Sequence, residues 1–146
     1  MRNSAASAGD AEVYYRAGRI SADARAIWEA LAEHGPLATL ELRHACKMDS
    51  KAGNARFKRA MAELQCLLLV FYSGAEQETA AWPSGRFELT AQAFPREVRT
   101  ARRMTPEQAR AVLARKYFEW HPTALPQLLA RLFGWTKAEA VAACKS

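Results

Sequence analysis

Cysteine is scarce: Cys46, Cys66 and Cys144 are far apart, odd in number and without any Cys-x-x-Cys spacing. That argues against both a disulfide framework and a zinc site, and a reducing cytoplasm is the expected setting. Long apolar runs are missing as well. The longest, Cys66 to Tyr72, is far too short to span a bilayer, and Met1 to Arg19 lacks the apolar stretch of a signal peptide. The histidines His34, His44 and His121 have no metal-ligand spacing, and two of them read as helix C-terminal residues, where the helix dipole favours an imidazolium. There is no glycine-rich phosphate loop, Gly-x-Ser-x-Gly elbow or clustered carboxylate set. Nucleophilic, metal and nucleotide chemistry therefore have no visible apparatus, and neither a cofactor nor a catalytic residue is expected.

What the chain does have is apolar residues over half its length and a formal charge of +6, from 21 Lys and Arg against 15 Asp and Glu. At 146 residues it can hold one compact domain or two small units. Polyanions are the default partners of such a balance, nucleic acid before an anionic membrane.

Ser21 reads as an N-cap, and Ala24, Ile27, Trp28 and Leu31 follow at helical spacing, predicting a helix that ends at His34-Gly35-Pro36. Thr39 would cap a short second helix running to Cys46, with Leu42, Ala45 and Cys46 inward. A third helix carries Phe57, Ala60, Met61, Leu64 and Leu68. Leu67 to Tyr72 and Phe87 to Thr90 favour extended backbone across a Ser73 to Arg86 loop that holds Gly74, Pro83, Gly85, Glu76, Glu78 and Trp82. Three helices and a hairpin are the order of a winged helix.

Thr105-Pro106-Glu107-Gln108 is a capping box with proline at the first helical position, followed by Ala109, Val112, Leu113, Tyr117 and Trp120 at helical spacing. After His121-Pro122, Thr123 would cap a helix carrying Leu125, Leu128, Leu129, Leu132 and Phe133. Gly134 stops it, and Thr136-Lys137-Ala138-Glu139 opens a last one. Pro36, Ala38, Glu41, Ser50 and Lys51 line up with Pro122, Ala124, Gln127, Thr136 and Lys137 as an internal repeat. The expected fold is mainly α with a small β-hairpin, in tandem winged-helix or helix-turn-helix units. Residues 1–20 are expected to form a flexible arm, 21–95 a winged-helix unit, 96–104 a basic linker and 105–146 a second helix-turn-helix unit.

With Phe57, Met61 and Leu64 turned inward, the third helix would project Lys51, Lys58 and Arg59, flanked by Asn54 and Arg56. Long cations reach phosphates, and Arg or Asn reach base edges; a solubilising face is the plainer alternative. Between Arg96 and Lys116 seven basic residues, Arg99, Arg102 and Arg103 among them, face two acidic ones, which suits either salt-dependent phosphate contacts or a solvated linker. Trp28, Trp120 and Trp135 read as core, and Trp82 as loop packing or a partner contact. Double-stranded DNA is the expected partner. A protein-interaction scaffold, supported by Trp82 and the acidic loop, is the alternative; no membrane role is expected, and the oligomeric state is open.

Ala114-Arg115-Lys116-Tyr117-Phe118 with His121-Pro122-Thr123-Ala124, the run Leu128-Leu129-Ala130-Arg131-Leu132-Phe133-Gly134-Trp135-Thr136, and His34-Gly35-Pro36-Leu37-Ala38-Thr39 resemble the AlkZ-type family. The similarity runs from about Ser21 onward and is strongest in the second unit, and the chain resembles in particular the short AlkZ-related proteins without a known activity. The resemblance implies tandem winged-helix domains and a link to bacterial DNA glycosylases that unhook alkylated bases and interstrand crosslinks. Those enzymes carry a catalytic Gln-x-Gln or Gln-x-Asp motif. Here Gln65, Gln77, Gln92, Gln108 and Gln127 have neither Gln nor Asp two positions later, so no catalytic residue carries over and a minimal glycosylase is the remotest reading.

Overall fold

The computed structural model describes residues 9–77 and 83–145. Contacts divide the chain into two compact units, Met1–Pro95 and Arg96–Ser146. It is mainly helical with one small antiparallel sheet.

The first unit opens with helix α1 (Gly9–Arg16), followed by α2 (Ala22–His34), strand β1 (Leu37–Ala38), α3 (Thr39–Ala45), α4 (Lys51–Cys66), strands β2 (Val70–Gln77) and β3 (Pro83–Leu89), and the short α5 (Thr90–Ala93). Residues 9–16 are thus helical where a flexible arm was expected. Ala11 and Ile20 are buried in the main core, and Glu12 holds Arg16 at 2.5 Å and Arg25 of α2 at 2.8 Å. Ser21 caps α2 as the sequence predicts, its hydroxyl accepting the Ala24 N–H at 3.2 Å. The predicted inward set Ala24, Ile27, Trp28 and Leu31 is buried, and it packs with Leu42, Met48, Phe57, Ala60, Met61 and Leu64.

Thr39 is the first residue of α3 rather than its cap. The Glu41 carboxylate accepts the Ala38 N–H at 3.0 Å, and the Thr39 hydroxyl donates instead to the Gly85 carbonyl at 2.8 Å. A two-residue strand that the periodicity did not predict precedes it: Leu37 and Ala38 pair with Phe87 and Arg86, so β3 lies between β1 and β2. Val70 pairs with Leu89, and both are buried. The strands run well into the stretch expected to be loop, past an irregularity between Tyr72 and Gly74 that places Gly74 at φ 150°. Trp82 and Glu78 lie outside the described residues. Two predicted inward residues face water: Ala45, and Leu68, which is 76% exposed beyond the end of α4 at φ 55°.

The second unit holds α6 (Pro95–Ala101), α7 (Pro106–Trp120), α8 (Pro126–Phe133) and α9 (Lys137–Lys145). The expected basic linker therefore begins as a helix. Both predicted capping boxes form: Thr105 and Gln108 exchange bonds of 2.9 and 3.3 Å, Thr136 and Glu139 bonds of 2.9 and 3.2 Å. Thr123 caps nothing, because α8 starts later, with Leu125 at the cap position and Pro126 following it. Ser50 and Thr136, paired in the internal repeat, share one task, each hydroxyl accepting a backbone N–H at the start of its helix.

This unit packs differently from the periodicity. Its buried residues are Ala114, Leu129, Ala140 and Ala143, with Tyr117, Phe118, Ala130 and Trp135 half-buried around them. Alanines let α7 and α9 approach closely, and the larger side chains of the predicted stripes stay outside. Val112, Leu113, Leu128 and Phe133 are exposed, as are Leu125 at 63%, Leu132 at 61% and Trp120 at 70%. Trp28 and Trp135 do pack as expected, Trp135 stacking on Phe133 at 4.8 Å; Trp120 does not.

Candidate nucleic-acid interface

The turn into α4 is fixed by its backbone. Lys47 takes the left-handed region at φ 55°, and the Arg43 guanidinium donates to the carbonyls of Met48 at 3.1 Å and Asp49 at 2.8 Å. The Ser50 hydroxyl accepts the Gly53 N–H at 3.0 Å. Gly53 is buried because the helix there touches the turn: a Cβ would lie 2.6 Å from the Met48 carbonyl oxygen. With Gly53, Phe57, Ala60, Met61 and Leu64 inward, Lys51, Lys58 and Arg59 stand exposed on the opposite side. Asn54 is half-buried beside them. Ala52, Ala55 and Ala62 separate the cations and are exposed too, so no bulky side chain holds this face away from a surface. Among the described residues no carboxylate lies within ion-pair distance of Lys51, Lys58 or Arg59.

Arg56 departs from the expected set. Its guanidinium grips the Asp23 carboxylate of α2 through Nε at 2.8 Å and through Nη2. This hydrogen bond holds the Asp23 carboxyl below the usual range; burial opposes it, and the Arg56 charge and then that of Arg59 add smaller lowering effects. The Glu63 carboxylate also accepts the Ser21 N–H at 2.8 Å, so three hydrogen bonds tie the start of α2 to α4. Arg56 is a clamp. No spacing rule reveals a pair 33 residues apart in sequence. Because the folded-state pKa of Asp23 is lowered, the clamp stabilises the fold above the carboxylate range, and that contribution disappears as pH falls through the lowered pKa. Asp23→Asn should therefore lower Tm at neutral pH, with the gap to the parent narrowing between about pH 5 and about pH 2; thermal melts across that range check it.

The charge is unevenly divided. The first unit carries eleven Lys and Arg against eleven Asp and Glu, and the second ten against four, so the whole surplus belongs to Arg96–Ser146. Arg99 is exposed on α6, and Arg102 and Arg103 are exposed just beyond it; neither Arg99 nor Arg103 has a carboxylate within ion-pair distance among the described residues. Two other cations of the basic stretch are used internally. Arg110 bridges Glu107 at 3.4 Å and Glu139 of α9 at 3.3 Å, and Lys116 bonds Glu119 at 2.8 Å.

A hollow of about 280 Å³ between α2 and α3 is lined by Glu29, Glu33, His34 and Cys46 among others. Burial, with the Asp23 charge second, pushes the Cys46 thiol up to about 11, which leaves it protonated at neutral pH and a poor nucleophile. Iodoacetamide at neutral pH should modify exposed Cys66 and Cys144 first and Cys46 last, as mass spectrometry of a time course would show. Among the described residues no group of His, Cys, Asp and Glu side chains could hold a metal ion, and no helix is long and apolar enough to cross a membrane.

A family model described as AlkZ related matches residues 1–134, which takes in α1 and the repeat up to Gln127, and ends at the close of α8, short of Thr136 and Lys137. Comparisons with curated proteins and with solved structures give no match.

Proposed function

Since this chain belongs to the AlkZ-related family, which connects it with DNA repair, we propose that it is a winged-helix protein that binds double-stranded DNA through α4 and the α6 segment. The observation that carries this reading is the exposed face of α4, where Lys51, Lys58 and Arg59 stand among alanines with no ion pair among the described residues. A helix of that kind, third in a helical set and followed by the β2–β3 hairpin, suits the major groove, with Asn54 the residue for a base edge. Arg99, Arg102 and Arg103 add phosphate contacts. The role is that of a repair accessory factor or regulator working inside the cell. Residues 21–95 form the winged-helix module and 105–146 a second helix-turn-helix unit, with 96–104 as the basic connection.

Fluorescence anisotropy with matched undamaged and alkylated duplexes tests the reading. Binding to both, tighter to the alkylated one and without release of free base, is the result expected of a repair accessory factor. Equal affinity points to a regulator. Release of free base by the purified protein would make it a glycosylase, and absence of binding at low salt would contradict the proposal.

A further inference from the structure

We propose, building on the DNA-binding reading, that Trp120 is a stacking platform for an unpaired base, so that the second unit engages single-stranded DNA. Trp120 is 70% exposed, more than any other exposed aromatic ring among the described residues. It stands in the last turn of α7, where the His121 N–H closes the helix on the Tyr117 carbonyl at 2.9 Å. The Tyr117 ring meets His121 at 4.9 Å and Phe118 at 5.7 Å. The indole is therefore mounted on a rigid element rather than a loose loop.

Its surroundings favour a nucleic acid over an apolar partner alone. The Lys116 ammonium sits 5.6 Å from the ring centroid while also bonding Glu119, and Arg115 is exposed with no carboxylate within ion-pair distance among the described residues. The unit as a whole holds ten basic residues against four acidic ones. Sites for single strands combine this pair of features, cations along the backbone and an aromatic ring on which any base stacks. Exposed Val112 and Leu113 would suit a protein partner, but apolar contact alone leaves the positive charge uncompensated. A single strand satisfies both ring and charge. The periodicity concealed this role, because Trp120 falls on the predicted core stripe.

The test measures the full chain against a fluorescein-labelled oligothymidylate of about twelve nucleotides, within the range that single-strand sites cover, and against an undamaged duplex. Trp120→Leu should weaken oligothymidylate binding by about tenfold and leave duplex affinity within about twofold, while Trp120→Phe keeps most of the single-strand affinity. A parent protein that binds duplex but not oligothymidylate overturns this inference and leaves the duplex reading standing; failure to bind either contradicts that reading too. Unchanged single-strand affinity in Trp120→Leu also overturns it. So does a variant whose only change is lost self-association in sedimentation, which would make this face a protein contact.

Discussion

Duplex affinity should fall by on the order of a hundredfold at low salt when Lys51, Lys58 and Arg59 are replaced together by alanine, and the salt slope should drop by roughly three. Each neutralised phosphate releases condensed counterions, so removing a cation costs both affinity and salt sensitivity. The three side chains are exposed, and none takes part in an ion pair among the described residues, so their removal opens no cavity and strands no buried charge. Stability should hold within about 1 kcal/mol, since surface changes away from packing sites are nearly neutral. Arg56→Ala gives the contrast. That substitution breaks the clamp on Asp23, so it should lower Tm more than it lowers affinity. Equal affinity of the triple variant and the parent at every salt concentration would show that α4 does not touch DNA.

Gly53→Ala should be the most damaging single substitution near the interface. On a free helix it would gain about 1 kcal/mol, because alanine is the better helix former. Here the new methyl would lie 2.6, 2.7 and 2.8 Å from the oxygen, carbonyl carbon and Cα of Met48. These are backbone atoms in a turn held by Arg43, and the Met48 side chain is itself buried, so neither partner can swing aside. Overpacking of this kind costs about 1 to 3 kcal/mol or more. The net expectation is a loss of about 2 kcal/mol, a drop in Tm of roughly 10 °C for a unit of this size, measured by calorimetry or circular dichroism. A variant melting at or above the parent would show that α4 can shift off the turn. DNA affinity should fall as well, since Lys51 and Asn54 are carried on that first turn.

What could be read from the sequence follows from which interactions are local. Caps are local, and the predicted Ser21, Thr105 and Thr136 accept backbone N–H groups at helix starts, although Thr39 and Thr123 do not cap theirs. The core of the first unit was legible because its large apolar residues recur at helical spacing and are the ones buried. In the second unit the same rule points the wrong way. Its interior is built on Ala114, Ala140 and Ala143, and a reading weighted toward large residues put Val112, Leu113 and Trp120 inside. The two-residue β1 was invisible because its order comes from pairing with Phe87 and Arg86, far along the chain. Of the predicted interface residues, Lys51, Asn54, Lys58 and Arg59 share one helix in the first unit, and Arg99, Arg102 and Arg103 stand in the second. The clamp of Arg56 on Asp23 was not legible because the two residues lie on different helices. The confinement of the net charge to Arg96–Ser146 needed no structure beyond the unit boundary, and is the signal that points furthest beyond α4.

The most direct test of the account is the affinity of the full chain for an undamaged duplex, measured by anisotropy across a series of salt concentrations. Binding whose log K falls linearly with log salt, with a slope of roughly −3 or steeper, is the predicted result. Binding that does not change with salt, or none at the lowest salt, would contradict the claim that exposed cations make this an interface for DNA.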